Sequence, residues 1–577
     1  MRISGNQLFV TAMKKEGVDT IFAYPGGMVV NLLDALYDHP GIDLVLPRHE
    51  QGAIHMADGY ARATGKVGVC LVTSGPGATN LVTGIANANY DSIPLVCFTG
   101  QVSEHLIGND AFQEVDIVGV TRNVAKFVIM VRNREMLAQR IKEAFYIAKS
   151  GKPGPVLVDL PTDVMAELGS TSYPTNVNIR GYKPNKGVHI GQLKKAITLM
   201  KRAKKPMFLI GGGVNLAGAQ EEMTTLAEKL DVPVITTVMG RGAVATDHPL
   251  FIGDIGMHGS YAANKTANEA DLIFAIGCRF GDRVTGEVKY FAPNAKIVHI
   301  DIESASISRN VTVDIPIVAD AKAAIGKILE HTQPMKHSRW IKEVKGWEEE
   351  HPLTMNVKEG VSPQKIIETL NELYADRDTV YTSDVGQHQM WASQYLRLDA
   401  RHRLYQSGGL GTMGFGLPSA IGARIGMPEK SVVSINGDGG FQMNIQEMAT
   451  AVCQELPLVI LIFNNTKLGM VRQMQTLFLK KRYMITCLAC HKSCRGKCDL
   501  PGHECPEYTP NFVKLAEAYG SKGYRVTEDS QLADTILEAR EYAETNNKPV
   551  IIECIVSPDE LVLPMIKGGA SFDDIML

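Results

Sequence analysis

Short apolar runs alternate with longer stretches of helical periodicity along most of the 577-residue chain. The first runs, at 20–23, 44–46, 67–72, 95–99 and 156–160, are too short for helices and read as strands of a buried parallel sheet. A polar stretch with Pro174, Asn176 and Pro184 then reads as a linker. A second series follows at 207–210, 234–237, 272–276 and 297–300. A charged, Trp-bearing stretch at 336–352 reads as the next connection, and a third series includes 431–435 and 458–463. The pattern predicts an α/β protein of three doubly wound parallel-sheet domains, at 1–167, 188–331 and 362–577. The first and third read as equivalent units.

Composition narrows the function classes. Apolar residues make up 45% of the chain and glycines number 54, which suits a large α/β core. A formal charge of −3 and 7% aromatics give no electrostatic case for nucleic acid. No apolar run reaches membrane-spanning length. The chain opens on Met1-Arg2-Ile3-Ser4 with neither an apolar signal region nor an Arg/Ser-rich transit peptide, so a cytoplasmic, prokaryotic protein is expected. Five of the ten cysteines (Cys70, Cys97, Cys278, Cys453 and Cys554) lie in apolar surroundings and read as buried, inert thiols.

The most telling chemistry is Gly437-Asp438-Gly439, just after the run 431–435, followed beyond a second strand by Asn464-Asn465. Asp438 offers a hard anionic oxygen, Asn465 a neutral one, and the backbone at Lys467 a carbonyl; Mg²⁺ prefers such ligands and completes its octahedron with phosphate and water. The flanking glycines let the backbone approach a phosphate. A GDG alone is a plain turn; with the Asn pair it reads as the thiamine diphosphate (ThDP) signature.

Pro47-Arg48-His49-Glu50-Gln51-Gly52-Ala53 stands after the run 44–46, at the start of an expected helix. Further motifs follow in order: Tyr24-Pro25-Gly26-Gly27, Ser74-Gly75-Pro76-Gly77 with Asn80, Gly100-Gln101-Val102, Asp110-Ala111-Phe112-Gln113-Glu114, Gly256-Met257-His258-Gly259, Asp282-Arg283-Val284-Thr285-Gly286, Gly411-Thr412-Met413-Gly414-Phe415-Gly416 and Gly469-Met470-Val471-Arg472-Gln473. Through these motifs nearly the whole chain resembles the acetolactate (acetohydroxyacid) synthase large-subunit family.

The resemblance implies that the outer domains bind the pyrimidine and the diphosphate of ThDP. Glu50 becomes the catalytic carboxyl that holds the aminopyrimidine in its imino tautomer; by itself it reads as a first-turn Glu favoured by the helix dipole. Met413 wedges between the cofactor's rings and Met470 sits near the thiazolium, where isolated methionines read as core. Gln387, His388, Gly408, Gly409 and Gly411 match cofactor-contacting loops. Gly27, Phe112, Gln113 and Lys126 face the substrate: Gln113 donates to a developing alkoxide and Lys126 offers a cation, although a solvated surface Lys is the alternative.

The middle domain resembles the family's FAD-binding domain through Arg241, Gly256 to Gly259, Arg279, Asp282-Arg283, Asp301-Ile302 and Asp320. Gly211-Gly212-Gly213 follows a strand but does not make GxGxxG, because Leu216 takes the last Gly position. Where the family has two acids before Arg283, this chain has Gly281-Asp282. The flavin would be structural, since carboligation has no net redox step.

The expected reaction decarboxylates pyruvate and ligates the hydroxyethyl unit to pyruvate or 2-oxobutyrate, in branched-chain amino acid synthesis. A homodimer or tetramer is implied, with Glu50 and Asp438 of one site on different subunits, together with a small regulatory subunit. The alternatives are a pyruvate oxidase, a sulfoacetaldehyde acetyltransferase, or a non-catalytic ThDP-fold protein that senses metal or redox state.

Two departures stand out. Met474 occupies the place of the family's Trp, which shapes the second-substrate pocket and favours 2-oxobutyrate. And Cys487, Cys490, His491, Cys494, Cys498, His503 and Cys505 crowd an insertion at 487–505 where the family has a short loop. CxxC spacing in a cytoplasmic chain points to Zn²⁺ or an iron–sulfur cluster, with redox-active thiols or an inert loop as alternatives.

Overall fold

The structure is a computed structural model, and it describes residues 2–185, 187–494, 506, 508 and 510–577. Its core is three six-stranded parallel sheets, the architecture expected from the sequence. The N-terminal sheet contains β1 (Thr20–Tyr24), β2 (Asp43–Val45), β3 (Gly68–Val72), β4 (Leu95–Gln101), β5 (Phe127–Met130) and β6 (Pro155–Pro161), in the order β2-β1-β3-β4-β6-β5. The middle sheet contains β7 (Pro206–Ile210), β8 (Val234–Thr236), β9 (Phe251–Asp254), β10 (Leu272–Ile276), β11 (Lys296–Asp301) and β12 (Ile315–Val318), in the order β9-β8-β7-β10-β11-β12. The C-terminal sheet contains β13 (Thr379–Ser383), β14 (His402–Gln406), β15 (Ser431–Gly437), β16 (Val459–Asn464), β17 (Lys522–Val526) and β18 (Val550–Ile555), in the order β14-β13-β15-β16-β18-β17.

These orders decide where ligands can sit. The first and third sheets share one order, which explains why their sequence patterns look equivalent. Chain order reverses between β1 and β3 in one and between β13 and β15 in the other. The middle sheet follows the dinucleotide-binding (Rossmann) order, with its reversal between β7 and β10. In open α/β sheets ligands bind outside the carboxyl ends of the strands at such reversals.

The helices that matter to the site are α1 (Glu50–Thr64), α2 (Val82–Asp91), α3 (Leu137–Lys149), α4 (Gly416–Gly426), α5 (Glu447–Cys453) and α6 (Gly469–Phe478). Helices α1 and α4 cross in backbone contact: a Cβ on Gly59 would lie 2.1 Å from the Ser419 carbonyl oxygen, and one on Gly422 would lie 1.8 Å from that of Met56. Around this crossing Ala53, Ile54, Met56 and Ala57 join Leu417, Ala420, Ile421 and Phe512 in one buried cluster spanning the first and third domains.

Two expectations are corrected. The stretch read as a connection at 336–352 contains a helix, Ser338–Glu350. Its Trp340 is buried against the middle sheet, with Nε1 donating to the Pro206 carbonyl at 3.0 Å; charge on the outer face hid an amphipathic helix. Cys453 is exposed rather than buried. It ends α5, and Arg48 Nη2 lies 3.3 Å from its sulfur.

Candidate active site

The first group of site residues gathers at the carboxyl ends of β1, β3 and β4. His49 is the N-cap of α1, its Nδ1 accepting from the Gln51 amide at 3.0 Å, so Glu50 becomes the first helical residue. Glu50 is 9% exposed and accepts from Asn80 Nδ2 at 2.9 Å. The helix start is held from the third domain: the buried Glu447 carboxylate of α5 accepts from the Arg48 amide at 3.1 Å and from Thr450 Oγ1 at 2.7 Å. Burial pushes the Glu447 carboxyl above its ordinary range, against those hydrogen bonds. Gly26 abuts Thr73, whose Oγ1 accepts from the Met28 amide at 3.3 Å, which fixes Gly27 beside the β3 end. Gln113 packs against Gly75 with φ of 60°, and its neighbour Phe112 is 83% exposed.

Lys126 does not join this group. Its ammonium donates to the Ile147 carbonyl and, at 2.6 Å, to the Ser150 carbonyl, where it caps the C-terminal end of α3. Burial pushes it down to about 8. The orphan carbonyls at a helix end attract a nearby cation; Gly151 and Pro153 mark the end of α3 in the sequence, but not that Lys126 reaches it.

The second group lies at the ends of β13, β15 and β16. Asp438 is buried and its Oδ2 has no hydrogen-bond partner. Burial pushes this carboxyl up to about 7, against the backbone amides and the Tyr508 hydroxyl that face it. His388 Nε2 is likewise buried without a partner, and burial pushes the ring down to about 3, so it is neutral. Asn465 Oδ1 accepts from the Lys467 amide at 2.9 Å, and its Nδ2 donates to Gln387 Oε1 at 3.3 Å. Gln387 is in turn held by Gln473 Oε1 at 2.9 Å and the Glu560 carbonyl at 2.8 Å. Gly437 leaves room for the His388 ring, Gly439 for Leu468 and Met413, and Gly469, which precedes Met470, for Gln387 and Asn465. Gly411 has φ of 74°. Asp384 clamps the turn after Met413, its Oδ2 accepting from the amides of Gly414 at 2.9 Å and Gly416 at 3.0 Å. Burial nonetheless pushes it up to about 6.

An unpartnered buried carboxylate oxygen beside an amide carbonyl is a donor set for a hard divalent cation. The His388 nitrogen, buried without a partner, fits a polar group laid along this edge. The residues therefore suit a diphosphate with its Mg²⁺. Among the described residues no hydrogen bond joins Glu50 to Asp438 or Asn465.

The cysteine insertion starts on this second group. Leu468 donates to the Thr486 carbonyl at 2.8 Å and Leu488 to that of Thr466 at 2.9 Å, and Lys467 Nζ lies 2.8 Å from Cys487 Sγ. Cys490 and Cys494 follow, one exposed and one buried. Cys498, His503 and Cys505 lie outside the described residues.

The middle domain has a cavity of about 800 Å³ at its strand-order reversal. It is lined by Gly211 to Gly213, Arg241, Arg279, Asp301, Ile302 and Asp320, and by Asp282 and Arg283 at its mouth. Close approach of the two strand ends requires the glycines: a Cβ on Gly211 would lie 2.0 Å from the Gly277 carbonyl oxygen. Arg241 Nη1 pairs with Asp254 at 3.3 Å while its Nε has no partner. Asp320 caps the helix Ala321–His331. The volume, the arginines and the glycine edge fit a dinucleotide. Gly256 to Gly259 do not line this cavity. Met257 opens instead into a smaller one of about 190 Å³, shared with Arg283 and 566–569. His258 is half-buried, and desolvation pushes it down to about 4.

Sequence reasoning missed the roles of Asp384 and Glu447; a buried acid beside a glycine-rich turn was the available signal for the first. Three family models match in chain order: the N-terminal TPP-binding domain of thiamine pyrophosphate enzymes at 3–120, their central domain at 193–328 and their C-terminal TPP-binding domain at 384–554. The chain is 44% identical to the acetolactate synthase isozyme 3 large subunit of Escherichia coli K12, over all of this chain and 98% of the relative. It is 44% identical to the acetolactate synthase large subunit of Corynebacterium glutamicum, over all of this chain and 90% of the relative. It is 42% identical to that of Buchnera aphidicola, over 98% of this chain and 97% of the relative.

Proposed function

The chain belongs to the acetolactate synthase large-subunit family of thiamine pyrophosphate enzymes, and from that premise we propose how its residues divide the work of carboligation. It is a ThDP-dependent enzyme that decarboxylates pyruvate and ligates the two-carbon unit to a second 2-oxo acid. Pyruvate as acceptor gives 2-acetolactate, and 2-oxobutyrate gives 2-aceto-2-hydroxybutyrate.

Bound ThDP supplies a nucleophilic thiazolium carbon and an electron sink for decarboxylation. The Glu50 carboxyl holds a proton at the pyrimidine N1′ atom, oriented by Asn80 and shielded from water by burial. Asp438, Asn465 and the Lys467 carbonyl hold Mg²⁺, while Gln387, His388, Gly411, Gly437 and Gly439 line the diphosphate edge. Met413 and Met470 supply apolar surface that excludes water. Gly27 leaves space for the 2-oxo acid and Gln113 orients it. The Lys126 ammonium, spent on carbonyls, takes no part. Arg241, Arg279, Asp301, Ile302 and Asp320 hold FAD in the middle cavity, with Asp282 and Arg283 at its mouth and Gly256 to Gly259 behind it.

Glu50 and Asp438 serve one cofactor from two domains. The assembly that follows is a homodimer or tetramer in which each site draws on two chains, with a small regulatory subunit beside it, in the cytoplasm. No helix among the described residues is long and apolar enough to cross a membrane.

The observation that carries this reading is the buried Glu50 carboxylate, fixed at a helix start beside the β3 end and hydrogen-bonded by Asn80. Purified protein with pyruvate, ThDP, Mg²⁺ and FAD is expected to release acetolactate, and Glu50→Gln to lose about a hundredfold or more in kcat. Acetyl phosphate in place of acetolactate would move the chain to a sister activity, as would reduction of the flavin by pyruvate.

A further inference from the structure

Resting on that reading, we propose that Asp91, with Arg62 and Asn87, is a positioning device that holds the 406–412 segment and thereby couples the dinucleotide cavity to the ThDP-binding Met413. Gly408 and Gly409 belong to a loop of the third domain, yet their amides are held by the first. Asp91 ends α2; its Oδ1 accepts from the Gly409 amide at 2.8 Å, and its Oδ2 from the Gly408 amide at 3.2 Å and Arg62 Nη2 at 3.0 Å. Arg62 Nη1 donates to the Gln406 carbonyl at 3.1 Å, and its Nε pairs with Asp58 at 2.5 Å. One turn before Asp91, Asn87 Oδ1 accepts from Ser407 Oγ at 2.5 Å and Thr412 Oγ1 at 3.3 Å, and its Nδ2 donates to Asp58 at 3.2 Å. Ser407 Oγ passes the restraint on by accepting from the Thr412 amide at 2.8 Å.

All four α1 and α2 side chains in this network are nearly inaccessible to water, where removing one partner of a hydrogen-bonded charge is costly. The segment they grip leads into Met413, and Asp384 grips the amides just after it. Met413 is thus suspended between two carboxylates, one in each ThDP-binding domain.

The same residues form a wall of the 800 Å³ cavity, which Arg62, Tyr90, Asp91, Gly408 and Gly409 line together with Arg279. A Cβ on Gly409 would lie 2.7 Å from Asp91 Oδ1 and 2.9 Å from Arg279 Nη2, so three domains meet at that glycine. The Arg279 guanidinium lies 5.8 Å from the centre of the Tyr90 ring, beside Asp91. A dinucleotide that draws on Arg279 stiffens this wall, and the loop on its far side carries Met413. Two ligands that each order one shared element bind cooperatively, and the cooperativity is reciprocal.

The test titrates ThDP–Mg²⁺ into the full-length protein, with and without saturating FAD, and follows the intrinsic tryptophan signal. In the wild type FAD is expected to tighten ThDP by about fivefold or more. Asp91→Asn keeps the volume but turns an amide NH₂ toward another donor. It is expected to weaken ThDP about tenfold and bring the FAD effect below about twofold, with thermal unfolding still cooperative. Asp19→Asn, at the surface on Lys66, is the control and should leave both numbers unchanged. A wild-type ThDP affinity and FAD effect in folded Asp91→Asn would overturn the proposal, as would a wild type indifferent to FAD. If Asp91→Asn does not fold, Ser407→Ala decides: it leaves both carboxylates paired, should weaken ThDP severalfold, and an unchanged affinity refutes the relay. Wild-type protein that shows the linkage but makes no acetolactate would refute the carboligase reading alone.

Discussion

The crossing of α1 and α4 offers a one-methyl test of how the two ThDP-binding domains are held together. Gly422 lies in the interior of α4, so Gly422→Ala should by helix propensity stabilise the protein by about 1 kcal/mol. The structure predicts the opposite sign. The new Cβ would lie 1.8 Å from the Met56 carbonyl oxygen, whereas such contacts do not fall below 3.0 Å, so the helices must part by more than about 1 Å. Neither side can yield by a rotamer change, because the obstacle is backbone. Overpacking of this kind costs about 1–3 kcal/mol, and the rigid obstacle places the net effect near 2 kcal/mol destabilising. Because α1 begins at Glu50 and α4 follows directly on the Met413 turn, the same shift displaces both; misplacements of about 1 Å cost on the order of a hundredfold in rate. Gly326→Ala is the matched control, in the helix Ala321–His331 with nothing within 4 Å of the added Cβ, and should gain about the propensity difference. Urea unfolding of the three proteins, alongside acetolactate formation, checks both claims. Gly59→Ala combined with Gly422→Ala should cost less than the sum of the two, since one separation relieves both clashes. A Gly422→Ala variant as stable as Gly326→Ala and fully active would refute the reading of this crossing.

Three further outcomes are expected. Burial pushes Asp159 up to about 7 although Thr99 and Gln101 hydrogen-bond it. An acid raised in the folded state keeps its proton there after the unfolded chain has lost it. Stability therefore falls as pH rises from about 4 to about 7, by on the order of 4 kcal/mol; Asp159→Asn should remove that slope from a urea-unfolding pH series, and an identical slope would exclude the assignment. Met474, partly buried on α6, replaces a flat ring with a flexible thioether, so Met474→Trp is expected to raise the preference for 2-oxobutyrate over pyruvate about tenfold in mixed-substrate product ratios. Equal ratios in both proteins would remove Met474 from the specificity pocket. For the cysteine insertion, metal analysis of anaerobically purified protein is expected to find zinc or iron in stoichiometric amount, and a metal-free preparation with full activity would rule out a metal requirement there.

What could be read from the sequence divides along a physical line. The placement of Glu50 and Asp438 at strand ends was legible because each follows a short apolar run, and in a parallel sheet the residues after a strand stand at its carboxyl edge whatever the neighbouring strands are. That logic is local. The Rossmann order of the middle sheet was illegible, because strand order is set by which apolar faces pack across the whole domain; the missing third glycine at Leu216 even argued against it. The contacts of Lys126 were illegible for a related reason: its ammonium donates to carbonyls at a helix end that only tertiary packing brings to it. Asp384 and the Asn87–Asp91 pair mark the boundary. Asn87 and Asp91 stand one turn apart on an otherwise apolar helix face, and two polar side chains there must find buried partners or destabilise the fold. Their spacing announced a partner, and only the packing of α2 on the 406–412 segment identified it. A pattern of residues thus fixes which groups need satisfaction, while three-dimensional packing chooses what satisfies them, and in this chain that choice falls on the loop that carries Met413.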